Sequence, residues 1–267
     1  MTANFALFVH DKTTFEWQNA YHLALAAELS YEKADKIEGI VTGWGFEKFK
    51  FIQAPDGTEC FIMSNKNIIV VCFRGTDQLE DWITNLDLEL IKGPFEGRVH
   101  QGFYTSLSGV WQRIERTIAS FRGNKPKSLW FTGHSLGAAL ATLAVARWRE
   151  EDRPVDGLYT FGQPRTGDRE FARNFNFDFK PYTFRFVNNN DIVTRIPSRQ
   201  PLKYSHVGTF KYFTEAGEFR EDISYWNRFL DRMHGRIADI LEWGSDGIKD
   251  HAISEYVKNI KKALDNQ

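Results

Sequence analysis

A serine sits between paired glycines at Gly133-His134-Ser135-Leu136-Gly137, with a strand-like stretch before it and a helix-forming stretch after it. Such glycines let the backbone turn sharply and lift the serine hydroxyl clear of the chain. A serine hydroxyl is a weak nucleophile until a base removes its proton. The chemistry this spacing supports is attack on a carbonyl, with the charge that develops on oxygen held by backbone N–H groups. Leu136 opens the following helix, so its N–H has no intrahelical acceptor and is the first candidate donor to that oxygen.

Such a serine requires a histidine to take its proton and an acid to orient the histidine. In α/β-hydrolases, where a serine on a strand-to-helix elbow is the rule, the chain order is serine, acid, histidine. Of the seven histidines, this order sets aside His10, His22 and His100, and His134 within the turn points away from its neighbour. His206, His234 and His251 remain. His251 precedes the last predicted helix, in a loop from which an imidazole can lean over a sheet, whereas His234 falls in an amphipathic helix and His206 in a hairpin strand. Spacing favours His251 without excluding the others. For the acid, Asp191 follows the apolar run 183–187 and Asn188-Asn189-Asn190, where the carboxyl end of a sheet strand delivers side chains to a site. Asp168 and Asp178 fit less well. Read without the elbow, Asp191 is first a turn-forming residue.

The elements needed to position these groups are legible as periodicity. Strands are predicted over 128–132, 158–161 and 183–187, alternating with helices over 138–151 and 168–175, a pattern of parallel sheet. The run 68–73 is apolar on both faces, as a central strand covered by helices is. A helix is predicted over 15–29, a hairpin over 204–214, an amphipathic helix over 224–241 and a last helix after His251. The turn Asn65-Lys66-Asn67 joins two apolar runs, and a three-residue loop there sets Cys60 opposite Cys72. Two buried thiols are preferred over a disulfide at that pair. The fold expected is a single α/β domain over 1–267, its mostly parallel central sheet flanked by helices.

Composition narrows the function classes. With 42% hydrophobic and 26% charged residues in 267, the chain is neither disordered nor fibrous. A formal net charge of −1 gives no basic footprint for nucleic acid. Nowhere do 18 apolar residues follow one another, so no transmembrane helix is expected. No signal-peptide pattern is legible in the first thirty residues, and the compartment stays open between cytoplasm and secretion after leader removal. Two cysteines offer no zinc spacing.

Several further segments, in order, carry a resemblance. They are Phe73-Arg74-Gly75-Thr76, Val99-His100-Gln101-Gly102-Phe103, the 133–137 elbow, and Phe161-Gly162-Gln163-Pro164-Arg165 with Gly167-Asp168. They continue with Asp191-Ile192-Val193, Arg195-Ile196-Pro197, Tyr204-Ser205-His206-Val207-Gly208, and Asp250-His251 with Tyr256. Across roughly residues 60 to 260 the chain resembles the fungal-type class 3 lipase family. The elbow is shared by many hydrolases, whereas the segments at 73–76 and 161–165 are narrower signals. The resemblance implies a triad of Ser135, Asp191 and His251, a second oxyanion donor at Thr76, and hydrolysis of acylglycerol esters with no metal or organic cofactor. It implies a lipid or ester substrate met at an oil–water interface; nucleic acid is not expected as a partner, and the oligomeric state is open. A soluble esterase, of feruloyl esterase or phospholipase type, and a non-catalytic lipase-like scaffold are the alternatives.

Past Thr76, the residues Leu79, Trp82, Ile83 and Leu86 stand at helical i, i+3, i+4, i+7 spacing, with Asp77 and Glu80 placed as a capping box. In the resembled family this segment, here about 77–90, is a lid over the serine that swings away at a lipid surface. A helix fixed in the core explains the same stripe. Asn85 departs from the family's usual Asp.

Overall fold

The apolar run predicted as a central strand is β3 (Ile68–Phe73), buried at every position. In the computed structural model, which describes residues 4–124, 126–199, 201–220 and 244–267, β3 pairs parallel with β6 (Ser128–His134). From β6 the parallel pairing runs through β7 (Gly157–Phe161) and β8 (Thr183–Asn188) to β9 (Thr209–Phe213). Antiparallel strands extend both edges: β2 (Glu59–Ser64) and β1 (Lys48–Gln53) beyond β3, and β10 (Phe219–Arg220) beyond β9. A small separate ribbon joins β4 (Leu90–Lys92) to β5 (Arg98–His100).

Helices cover both faces. On one lie α4 (Gln101–Arg122), α5 (Leu136–Glu150) and α6 (Arg169–Phe179), which bury Phe103, Leu107, Trp111, Leu143 and Phe175 in one core with Ile69, Val71 and Phe131. On the other lie α1 (Trp17–Leu29), α2 (Ala34–Gly43) and the final helix α8 (Ile253–Asp265), packed with Val70, Phe161 and Phe186 in a second, aromatic-rich core. The two cores alternate along each strand because successive residues face opposite ways. Alanines at 138, 139, 141, 144 and 146 are buried, which lets α5 lie close against the sheet. No helix among the described residues is long and apolar enough to cross a membrane.

Three expectations need correction. Cys60 pairs with Phe73 and Phe61 with Cys72, so the cysteines are one step out of register and face opposite cores. Both are free and buried. The loop is tighter than three residues because the Asn65 side chain accepts the N–H groups of Asn67 and Ile68, and Asn65 N–H bonds Ile68 O. Secondly, the hairpin lies at Thr209–Arg220 rather than at 204–214. Residues 204–207 precede the strand, with an isolated bridge from Ser205 to Gly167, so His206 is not on a strand. Thirdly, His251 is the last residue of a helix, α7 (Gly244–His251), not part of a loop. The amphipathic helix expected over 224–241, with His234, lies outside the described residues.

Candidate active site

Strand β6 delivers Ser135 to the N-terminus of α5, in a backbone conformation (φ 58°, ψ −129°) that costs a non-glycine residue on the order of 1–3 kcal/mol. Close packing dictates the glycines around it. A Cβ on Gly133 stands 2.4 Å from Gly137 O, and one on Gly137 stands 2.3 Å from Phe73 O. The elbow is held by Ser135 N–H donating to Phe161 O at 3.0 Å. Leu136 follows as the first helical residue, its N–H at the positive end of the α5 dipole.

The acid follows a strand two places along the sheet from β6, and the histidine ends helix α7. Asp191 follows β8, is completely buried, and accepts the Nδ1–H of His251 at 2.9 and 3.0 Å. Tyr256 Oη donates to Asp191 Oδ2 at 2.5 Å and Val193 N–H to Oδ1 at 2.9 Å. Three donors thus converge on one buried carboxylate. The Tyr256 hydroxyl is pushed well above its ordinary range, by burial first and by Asp191 beside it second, and it stays a donor. His251 is 3% exposed and Ser135 1%, so water is excluded from both. Neither Ser135 Oγ nor His251 Nε2 has a hydrogen-bond partner among the described residues. The nucleophile–base bond is therefore unmade here, as is common before substrate binds.

Two neighbours tie the halves together. Gly162, just past Phe161, takes φ +59°, and a Cβ there sits 2.8 Å from Asp191 Oδ2 and from His251 Cε1. Only glycine fits. His134, next to the serine, stacks near the His251 ring with centroids 4.4 Å apart, and its Nε2 lies 2.7 Å from the His251 carbonyl. A carbonyl only accepts, so His134 carries its proton on Nε2, and its Nδ1 accepts the Tyr31 hydroxyl at 2.7 Å. Burial first, and the neighbouring His251 second, hold the His134 pKa well below the ordinary histidine value. The Asp250 carboxylate accepts Asn189 Nδ2 at 3.0 Å and Asn190 N–H at 3.1 Å, fixing the loop before Asp191 against α7.

Thr76 stands at the end of β3, where its Oγ1 accepts Gln78 N–H at 3.1 Å. Arg74 below it pairs with Glu59 at 2.9 Å and Asp77 at 2.5 Å. Asp77 is consequently not a helix cap. The short helix α3 (Leu79–Thr84) has Gln78 as its N-cap, without a side-chain bond. Ile83 is buried against Ile192, Val193 and Ile196, with Leu79, Trp82 and Leu86 partly buried on the same cluster, so α3 lies on the segment that carries Asp191. Asn85 caps its C-terminus through Nδ2 to Asp81 O at 2.8 Å.

The structure thus brings Asp191 and His251 into contact and sets them against the residues flanking Ser135. It separates His206, whose Nε2 bonds Thr194 O at 2.8 Å, and Asp168, which caps α6. Asp178 is exposed on α6. Sequence reasoning assigned no role to Tyr256, Tyr31 or Gly162. Among the described residues no group of three His, Cys, Asp or Glu converges as metal ligands do.

A sequence model of the family described as lipase (class 3) matches residues 70–200. The triacylglycerol lipase OBL1 of Arabidopsis thaliana is 26% identical over 342 aligned residues, covering 91% of this chain and 64% of that protein. The secreted mono- and diacylglycerol lipase 1 of Fusarium solani is 33% identical over 163, covering 58% and 46%. The chain spans less than two thirds of the length of either relative. Among solved structures, the triacylglyceride lipase of Rhizomucor miehei superposes with a TM-score of 0.61 at 28% identity, over 74% of this chain and 80% of that one.

Proposed function

Because the chain belongs to the class 3 lipase family, we propose that it hydrolyses carboxylic esters of acylglycerols through Ser135, His251 and Asp191. The buried Asp191–His251 pair, set against the residues flanking a strained Ser135, is the observation that carries this reading. Ser135 Oγ attacks the ester carbonyl as its proton passes to His251 Nε2. Asp191 holds Nδ1–H, keeping the accepting lone pair on Nε2 and stabilising the imidazolium. The carbonyl oxygen, now negative, is met by the N–H of Leu136 and by the N–H and hydroxyl of Thr76, an interaction of about 3 kcal/mol per donor. His251 then protonates the departing alcohol, and water, deprotonated by the same imidazole, releases the fatty acid.

The segment about 77–90 acts as the lid of a single hydrolase unit. The apolar contacts of Leu79, Trp82, Ile83 and Leu86 over the Asp191 segment support that role, since the same four side chains offer an apolar face to a lipid surface once released. The test is hydrolysis of p-nitrophenyl esters of increasing acyl length, with Ser135→Ala alongside. Turnover at long chains, reduced at least about a thousandfold in the variant, is the expected result. Undiminished turnover in a folded Ser135→Ala protein would overturn the assignment, and a preference for short acyl chains would move the substrate from acylglycerols to small soluble esters.

A further inference from the structure

On the α6 face of the sheet, away from the serine elbow, a cavity of about 380 Å³ opens between α6, strands β8 and β9, and the segment after Asp191. Its floor is an arginine in the middle of a strand. Phe184 and Phe186 face the aromatic core on the other side, so alternation along β8 turns Arg185 toward α6. Arg185 is 7% exposed. Its Nε donates to Val207 O at 3.4 Å and its guanidinium lies 5.0 Å from the centre of the Phe210 ring. No carboxylate among the described residues pairs with it. Burial first, and the neighbouring Arg199, draw this guanidinium down to about 10.

The mouth continues the same sign. Arg169, Arg173 and Lys180 are exposed along one stripe of α6 and the turn after it, and all three line the cavity. Arg165, Arg195 and Arg199 line it too; Arg165 is tied to Pro197 O and Arg195 to Asn190 Oδ1. Among the described residues, no Asp or Glu lines it. In a chain of net charge −1, this is a segregation of charge rather than a reflection of composition. An exposed row of cations on a helix is ordinary solvated surface; a buried arginine at the bottom of the same cavity, with no carboxylate partner among the described residues, is not, because burying a charge without a counter-charge is costly.

We propose that this cavity binds a phosphate dianion, free or as the phosphomonoester of a larger molecule, at a site separate from the serine elbow. Guanidinium forks match phosphate oxygens bidentately, and Arg185, Arg169 and Arg173 line one space. A fatty-acid product fits poorly, since Ala172 and Phe210 are the apolar side chains on a lining otherwise polar or cationic. The inference does not depend on the proposed hydrolysis.

Titration calorimetry of the full chain with inorganic phosphate, with acetate as the comparison anion, tests it directly. Saturable phosphate binding is expected, at least about tenfold weaker in Arg185→Gln and in Arg169→Ala/Arg173→Ala; the surface pair keeps the test open if the buried variant fails to fold. Sedimentation with phosphatidylcholine vesicles, plain or containing diether phosphatidic acid, separates the sources. Retention by phosphatidic acid that is lost in the surface variant supports a membrane headgroup, and phosphate binding without retention supports a soluble phosphorylated ligand. Absence of phosphate binding, equal binding of acetate, or binding unchanged in both variants overturns the proposal.

Discussion

At the scale of residues, the site is fixed by groups that no catalytic motif names. Tyr256 contributes the shortest bond to Asp191 and also accepts Asn188 N–H at 3.0 Å. Tyr256→Phe removes one of three donors from a buried carboxylate, so kcat is expected to fall roughly tenfold for a bond of about 1.5 kcal/mol to a charged group, with KM little changed. An unaltered kcat would show that the bond does not hold the acid. Gly162→Ala is the sharper case. Its methyl collides with both Asp191 and His251 at a backbone angle that disfavours any side chain, and ester hydrolysis is expected to drop at least about a hundredfold while the circular dichroism stays native. Retained activity would mean that the pair has room to move.

At the scale of elements, α3 and the β2–β3 hairpin each make a distinct prediction. The helix α3 has six residues, no side-chain bond at its N-cap and one fully buried apolar side chain, so it is held by packing rather than by its own propensity. Trp82→Ser, which weakens that packing, is expected to raise the rate on monomeric tributyrin relative to the rate above its solubility limit. An unchanged ratio would mark α3 as fixed core. The hairpin register separates Cys60 from Cys72 across the sheet, and burial raises both thiol pKa values, that of Cys60 to about 12. A thiol reagent is therefore expected to find both free only after unfolding, and reductant to leave the melting temperature unchanged. A reductant-sensitive melt would contradict the register.

Across the whole molecule, buried histidines couple stability to pH. Burial lowers the folded-state pKa of His22 and His134, and that of His100 to about 4. Each therefore binds a proton more readily in the unfolded chain, whose histidines titrate near 6.5. Stability from these groups is complete above that value and declines as pH falls, for His100 down to about pH 4. The melting temperature is expected to be level from pH 8 to 7 and to fall steadily below 6.5. A flat profile down to pH 5 would show that these residues charge without cost.

The serine, its flanking glycines and the alternation of strands and helices were legible because they are local: a tight turn and a periodic apolar face are written in consecutive residues. So was the order of acid and histidine, though residues alone left His206 and His234 open, and only the likeness to a known family closed on His251. The long helix α4 went unread although Phe103, Leu107, Val110, Trp111, Ile114 and Ile118 carry its period. The hairpin register was misjudged by one residue because it turns on how the Asn65 side chain closes the loop, and one step of register moves a cysteine to the other face. What only the tertiary structure decided is what long separation brings together. Asp191 meets Tyr256, 65 positions away, and Tyr31 reaches His134 across 103. Arg185 lies in a strand otherwise apolar apart from its ends, and only the packing of α6 over β8 and β9 turns it into the floor of a cationic cavity. Such contacts depend on the summed geometry of sheet twist and helix packing, which no short window of sequence encodes.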